Sequence, residues 1–140
     1  MSSFEGKEFL SSYEISRLSI LKKIQINNYN SKIFEILYKE KGIKCDLIDL
    51  RSISNMKLGT VLSSLRKTKK LVIVEDGWKN FGYAAEIIAS VSEANIKLAS
   101  APQRVCWPNS HVPMSSPLEK NFYFDEYDIV KACKKVLNLK

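Results

Sequence analysis

The acidic pair Glu75 and Asp76 stands at a position where α/β proteins often bind ligands. The pair follows Leu71 to Val74, a run of four apolar residues without alternation, which is typical of a strand covered by helices on both faces. Ligands of open α/β sheets bind beyond the carboxyl ends of such strands. A glycine with positive φ, here Gly77, is equally typical of a strand-end turn in which carboxylates accept nearby amides. The sequence leaves both a functional site and a structural turn open.

The remaining residue types predict no further chemistry. His111 is the single histidine and lies in a proline-rich stretch, where a polar surface role is expected. No serine or cysteine has the local signature of an activated nucleophile, and the scattered glycines form neither a dinucleotide fingerprint nor a phosphate loop. We therefore predict no catalytic, cofactor-binding or metal-binding residue. One alternative is a small self-contained enzyme, which would require Glu75, Asp76 and His111 to converge in a cleft.

The three cysteines, Cys45, Cys106 and Cys133, lie far apart in the sequence. None of them has a second cysteine or a histidine at metal-ligand spacing. We expect reduced, buried thiols.

Length and composition indicate one globular domain. The chain has 140 residues, of which 45% are hydrophobic and 26% are charged, a balance unlike that of disordered chains. No window approaches the roughly 20 apolar residues of a membrane span, and the first residues lack the pattern of a signal peptide. The prediction is a cytoplasmic protein that does not contact a membrane.

The net charge of +7 raises the question of an anionic partner. The dense basic run is Arg66, Lys67, Lys69 and Lys70, and it falls where a helix should end and a strand begin. Cations at that position complement the negative end of the helix dipole, so nucleic acid is not the favoured partner. A basic module that recruits a polyanion through Lys67, Lys69 and Lys70 is the second alternative.

Periodicity predicts alternating strands and helices from about residue 15 onwards. Strands are expected at Arg17–Ile26, Cys45–Leu50, Leu71–Val74, Ile96–Ala99 and Arg104–Trp107. Helices are expected at Ser31–Lys41, ended by Gly42, around Leu58–Leu65, around Ala84–Val91, and after the cap Asp125, where Ile129, Cys133, Val136 and Leu137 would be buried. Pro108, Pro113 and Pro117 predict a loop without regular structure from about Trp107 to Leu118.

This order predicts an α/β fold, a three-layer sandwich with a mostly parallel sheet of about five strands and helices on both faces. Residues 1–14 are predicted to be a linker or arm, and residues 15–140 to form the domain.

Several segments in order resemble the C-terminal domain of 2-oxo acid dehydrogenase beta subunits of the pyruvate or branched-chain type, within the transketolase C-terminal domain family. The segments are Asp49–Ile53, Leu71–Trp78, Phe81–Ile87, Arg104–Val105 and Val112–Glu119. The chain departs from the family pattern in two places. His111 replaces an acid before Val-Pro, and Asn55–Leu58 replaces the usual Pro-Leu-Asp.

The resemblance implies structural or interface roles for the motif residues, and not catalytic ones. These residues are Asp49, Arg51, Glu75, Asp76, Gly77, Gly82, Glu86, Arg104, Pro113, Pro117 and Glu119. Glu75 could pair with Arg51 or cap a strand end, and Gly82 would permit a close approach. Pro113 and Pro117 would fix the loop with little entropy left to lose.

The resemblance also implies a non-catalytic assembly domain of a thiamine diphosphate-dependent 2-oxo acid dehydrogenase or transketolase-like enzyme. In that family thiamine diphosphate and magnesium are held by two other domains, so this chain is expected to bind no cofactor. Its implied partners are the pyrimidine- and diphosphate-binding domains or subunits, with a homodimer and an acyltransferase core as further candidates. The positive charge argues against docking to a basic binding domain.

Overall fold

The computed structural model describes residues 17–22, 35–39, 42–50 and 52–139. Residues 1–14, predicted as an arm, lie outside this part, as do the end predicted for the first strand and the start predicted for the first helix. The elements are β1 (Arg17–Lys22), α1 (described over 35–39), β2 (Lys44–Asp49), α2 (Gly59–Thr68), β3 (Leu71–Trp78), α3 (Tyr83–Glu93), β4 (Gln103–Trp107), α4 (Ser116–Lys120) and α5 (Glu126–Val136).

The described strands form one sheet in the order β2-β1-β3-β4, and every neighbouring pair is parallel. Because all strands run the same way, they begin at one edge of the sheet and end at the other. We call these the amino edge and the carboxyl edge. The predicted parallel α/β sheet is confirmed.

Strand β3 separates two hydrophobic clusters, as a strand buried on both faces must. Val72 and Val74 pack into a cluster with residues of α1, β4 and α5, whereas Leu71 and Ile73 pack into a cluster with α2 and α3. All four side chains are fully buried. Burying a valine or a larger aliphatic side chain stabilises a fold by about 1.5–3 kcal/mol. The three-layer arrangement predicted from this apolar run is therefore present.

The predicted strand at Ile96–Ala99 is wrong, because these residues lie in the connection from α3 to β4. Ile96 and Leu98 are partly buried against the cluster that contains α2 and α3. Their alternation thus reflects packing of an irregular segment. The Ala99 amide donates to the Lys69 carbonyl at 2.8 Å and fixes the connection beside the start of β3.

The proline-rich stretch is only partly irregular, which corrects the loop predicted up to Leu118. Helix α4 begins at Ser116, and Pro117 lies in its first turn. Proline is tolerated there because the first amides of a helix have no intrahelical acceptor.

Gly42 has the helix-ending conformation that the sequence predicted for it, and α2 ends at the predicted basic run. Gly42 follows α1 with a φ of +62°, and its amide donates to the Tyr38 carbonyl at 2.9 Å. The basic run lies at the end of α2, with Arg66 and Lys67 in the last turn and Lys69 in the left-handed conformation. None of the helices in the described part is long and apolar enough to cross a membrane.

Helix α5 begins with a reciprocal cap that allows a direct test. The Asp125 carboxylate accepts from the amides of Tyr127 and Asp128, and the Asp128 carboxylate accepts from the Asp125 amide. We predict that Asp125→Ala lowers the free energy of unfolding by about 1 kcal/mol, because two amides lose their acceptor. Urea denaturation measures the change. Lys131→Ala, at an exposed position later in α5, serves as the control, and equal losses in both variants would contradict the assignment.

Candidate interface site at the carboxyl edge

Glu75 is a buried acid that caps a helix from a distance. Its side chain is 5% exposed, its Oε1 accepts from the Tyr83 amide at 2.9 Å, and its Oε2 accepts from the Ala84 amide at 3.1 Å. These amides open α3, whose N-cap Gly82 has no side chain to offer them. A carboxylate at this position also complements the positive end of the helix dipole. Glu75 therefore fastens the start of α3 to β3.

Gly82 makes this arrangement sterically feasible, as the sequence predicted. A Cβ at Gly82 would lie 2.6 Å from Cδ of Glu75 and closer still to both carboxylate oxygens, whereas real Cβ atoms stay beyond about 3.0 Å. The Tyr83 hydroxyl adds a second tie between the same elements, donating to the Val74 carbonyl at 2.8 Å. Helix α3 and strand β3 thus approach closely because residue 82 lacks a side chain.

The predicted turn at Glu75, Asp76 and Gly77 is wrong, because β3 continues to Trp78. Gly77 does not have a positive φ, and the positive value in this region belongs to Phe81, at 60°. The pairing of β3 with β4 is irregular between Val74 and Trp78, so the strand bends without ending. The chain turns four residues later than predicted, at a residue other than glycine.

Two hydrogen bonds hold the loop after β3 against β4 and the segment that follows it. The Arg104 guanidinium donates through Nη1 to the Lys79 carbonyl at 2.8 Å. The Asn80 amide donates to Oδ1 of Asn109 at 3.3 Å. The sequence had singled out Arg104 but neither asparagine, because a contact between two loops leaves no periodic signal.

Four exposed apolar side chains lie at the end of β3 and on these two adjoining loops, and we call them the apolar rim: Trp78, Phe81, Val112 and Met114. Trp78 is 50% exposed, and both Phe81 and Met114 are completely exposed. The Trp78 ring meets the His111 ring edge to face, with centroids 6.3 Å apart. Met114 follows His111 by three residues, so their Cα atoms are at most about 11 Å apart. The apolar rim therefore lies at the carboxyl ends of β3 and β4.

The motif residue Asp49 lies farther from Glu75 and Gly82. Asp49 ends β2, two strands away from β3, beside a cavity of about 360 Å³ that Leu50, Asn55 and Lys57 also line. Arg51 lies outside the described residues, so its pairing with Glu75 stays a prediction.

The motif residues nearer to the rim differ in exposure. Asp76 and Glu86 are exposed, on β3 and in the first turn of α3. Pro113 is half-buried, and Pro117 and Glu119 are exposed in α4. Their interface roles also stay predictions.

The geometry gives no support to the alternative of a self-contained enzyme. Both oxygens of Glu75 already accept backbone amides, while the His111 ring contacts Trp78. Within the described ranges, no group of three histidine, cysteine or acidic side chains could hold a metal ion.

The cysteines are free thiols, and they ionise less readily than usual. Cys133 is buried, whereas Cys45 and Cys106 are half-buried, which is more exposure than predicted. Burial, with a smaller contribution from the Glu75 carboxylate, raises the pKa of Cys106 to about 11, although Arg104 and Lys79 act in the opposite sense. Burial also raises the pKa of Cys45 to about 11, and it raises the pKa of Cys133 further.

The raised pKa of Cys106 predicts a loss of stability in alkali. Below pH 9 the thiol is protonated in both the folded and the unfolded chain, so its contribution is fully present. Between pH 9 and about 11 the unfolded thiol ionises while the folded one stays neutral, which favours unfolding. We expect Cys106→Ser to show a shallower fall in the free energy of unfolding over this range. Parallel curves for the two proteins, measured by urea denaturation at several pH values, would contradict the prediction.

Comparison with known proteins identifies the family of this domain. Residues 30–129 match the family described as transketolase, C-terminal domain. The chain belongs to the transketolase C-terminal domain family. The region matched contains β2 through the start of α5, and with it Glu75, Gly82 and the apolar rim.

Several curated relatives of this transketolase C-terminal domain are named as beta subunits. The pyruvate dehydrogenase E1 component subunit beta of Dictyostelium discoideum is 41% identical over 103 residues, covering 73% of this chain and 29% of that protein. The corresponding protein of Rickettsia bellii is 34% identical over 105 residues, covering 74% of this chain and 32% of that protein. The one of Saccharomyces cerevisiae is 34% identical over 128 residues, covering 90% of this chain and 34% of that protein. The chain therefore spans about a third of the length of these relatives.

Proposed function

We propose that this chain is the non-catalytic assembly domain of a thiamine diphosphate-dependent 2-oxo acid dehydrogenase, in the position of a beta subunit's C-terminal domain. The observation that carries the proposal is the apolar rim, displayed on loops that the family motifs hold in place. The curated relatives support the choice of enzyme class, since they are named as beta subunits of pyruvate dehydrogenase E1.

The apolar rim has the chemistry of a protein interface. Large apolar side chains that stay exposed on adjoining loops mark surfaces that bind a partner. Aromatic residues and methionine are enriched at interface cores, and the rim supplies Trp78, Phe81 and Met114. Phe81 is fully exposed and also has a positive φ, a conformation that costs a residue other than glycine about 1–2 kcal/mol. Contacts of Phe81 with a partner would offset that cost.

The motif residues act in this proposal by positioning the rim. Glu75 and Gly82 fix the end of the loop at α3, Arg104 holds the loop at Lys79, and Pro113 restricts the second loop. A loop that is ordered before binding loses less conformational entropy on association. Interface contacts of Asp49, Arg51, Asp76, Gly77, Glu86, Pro117 and Glu119 belong to the same proposal.

Glu75, the buried acid of the motif, does not fit the role of a magnesium ligand. Magnesium in phosphate sites is held by one or two carboxylates whose oxygens are free to bind it, whereas both oxygens of Glu75 accept amides of α3. We therefore propose that the parent enzyme binds the cofactor through its pyrimidine- and diphosphate-binding domains or subunits. These are also the proposed partners of the rim, with a second copy of this chain or an acyltransferase core as further ones. A cytoplasmic location stays a prediction, because several relatives are named as mitochondrial.

Co-purification tests the proposal. The tagged chain is expressed in its source cell, recovered with its partners, and assayed for thiamine diphosphate-dependent decarboxylation of 2-oxo acids both alone and in the complex. We expect turnover in complexes that supply the two cofactor-binding domains and none from the chain alone. Turnover by the purified chain would contradict the proposal.

A further inference from the structure

The amino edge of the sheet collects positive charge at the end opposite to the apolar rim. Arg66 and Lys67 lie in the last turn of α2, and Lys69 and Lys70 join α2 to β3. Arg66, Lys67 and Lys69 are exposed, and Lys70 is half-buried. Four cations therefore lie within five consecutive residues at one point of this edge.

The fold adds basic residues that are distant in sequence. The hydrogen bond from the Ala99 amide to the Lys69 carbonyl places the segment between α3 and β4, with exposed Lys97, beside this run. Exposed Lys44 starts β2 at the same edge. Glu93, at the end of α3, supplies an opposing charge. We call the positive group the basic edge: Lys44, Arg66, Lys67, Lys69, Lys70 and Lys97.

Helix dipoles account for only part of this charge. The carboxyl end of a helix carries the equivalent of about half a negative charge. Four cations lie at this end of α2, two in its last turn and two directly after it. Like charges held this closely repel each other, and an anionic partner relieves that repulsion. The assembly role proposed for the rim, at the other end of the strands, leaves the basic edge unexplained.

We propose that the basic edge binds an acidic segment of a polypeptide. Lysine and arginine both pair with carboxylates and with phosphates, so charge alone does not select between these partners. Sites for single-stranded nucleic acid combine basic side chains with aromatic rings that stack on the bases, and all six members of the basic edge are lysines or arginine. The composition of the edge therefore favours a run of aspartate and glutamate side chains. This inference does not depend on the proposed function of the apolar rim.

A charge-matched pair of variants tests the proposal on the full chain. The edge variant carries Arg66→Gln, Lys67→Gln and Lys97→Gln, and it spares Lys69, whose φ is 54°. The control variant carries Lys57→Gln, Lys120→Gln and Lys131→Gln, three exposed positions off this edge. Both variants lose the same net charge. The probes are a fluorescently labelled poly-glutamate peptide and an oligodeoxythymidylate of equal charge, titrated over a range of salt concentrations.

We expect poly-glutamate to bind the unmodified chain at low salt, more tightly than the oligonucleotide. The edge variant should weaken that binding about tenfold or more, since three exposed ion pairs are lost, and the control variant should change it much less. Equal weakening by the two variants, tighter binding of the oligonucleotide, or no binding of poly-glutamate would each overturn the proposal.

Discussion

Gly82→Ala is expected to lower the free energy of unfolding by about 2–3 kcal/mol. The added methyl group would overlap the Glu75 carboxylate, which cannot simply rotate away because it is buried and accepts the Tyr83 and Ala84 amides. Relieving the overlap would leave a buried acid and two helix amides without their partners, on top of the strain of overpacking. Urea denaturation monitored by circular dichroism measures the loss.

Two further variants show whether the loss arises at Glu75. In a Glu75→Ala background the carboxylate is gone, so adding Gly82→Ala should cost less than about 1 kcal/mol, and the two substitutions should be strongly non-additive. Gly59→Ala is the matched control, because a Cβ at Gly59 would meet nothing within 4 Å. Additive effects at residues 75 and 82, or an equal loss at residue 59, would contradict the account of the cap.

The second large effect is expected on association, from Phe81→Asn combined with Met114→Gln. Both side chains are completely exposed, so their replacement removes apolar contact area from the rim without opening the core. Asparagine tolerates the positive φ of residue 81 better than phenylalanine does, and the stability of the isolated chain should therefore be kept or slightly raised. If these residues are anchors of the interface, the double variant should bind its partner subunits at least about thirtyfold more weakly.

Association of the double variant is measured by surface plasmon resonance against the companion subunits recovered with the unmodified chain. The control is Tyr38→Gln, which removes another exposed aromatic side chain, from α1. Unchanged affinity of the double variant would exclude the apolar rim as the interface, and an equal loss in the control would show that the effect is not specific to it.

Much of the architecture could be predicted because it follows from local patterns. The apolar run Leu71–Val74 predicts a strand buried on both faces, and that strand does divide the core into two clusters. Gly42 and Asp125 predict helix ends through the backbone chemistry of their own residue types. Gly82 was predicted to permit a close approach, although its neighbour across the gap was not named.

The errors arose where tertiary contacts decide the conformation. Glu75 caps a helix that begins eight residues later, and nothing in the sequence says that β3 bends and continues to Trp78 before the chain turns. Ile96 and Leu98 alternate like a strand because one side of an irregular segment is packed. The prediction of a loop up to Leu118 overlooked that a first-turn proline is compatible with a helix such as α4.

The apolar rim could not be predicted from the sequence, although the sequence shows that its four residues are apolar. Large apolar residues in a loop are compatible with either burial or exposure, and only the structure shows that Phe81 and Met114 are exposed. The bond between Asn80 and Asn109 that joins the two loops spans 29 residues and has no local signature.

Hydrogen–deuterium exchange, compared between the isolated chain and the complex with its companion subunits, tests the central claim most directly. If the chain is an assembly domain that binds through the apolar rim, the amides of residues 78–82 and 109–116 should become strongly protected in the complex. The amino edge around residues 66–70 should then exchange alike in both states. Protection confined to the amino edge, or no protection in either rim loop, would contradict the account.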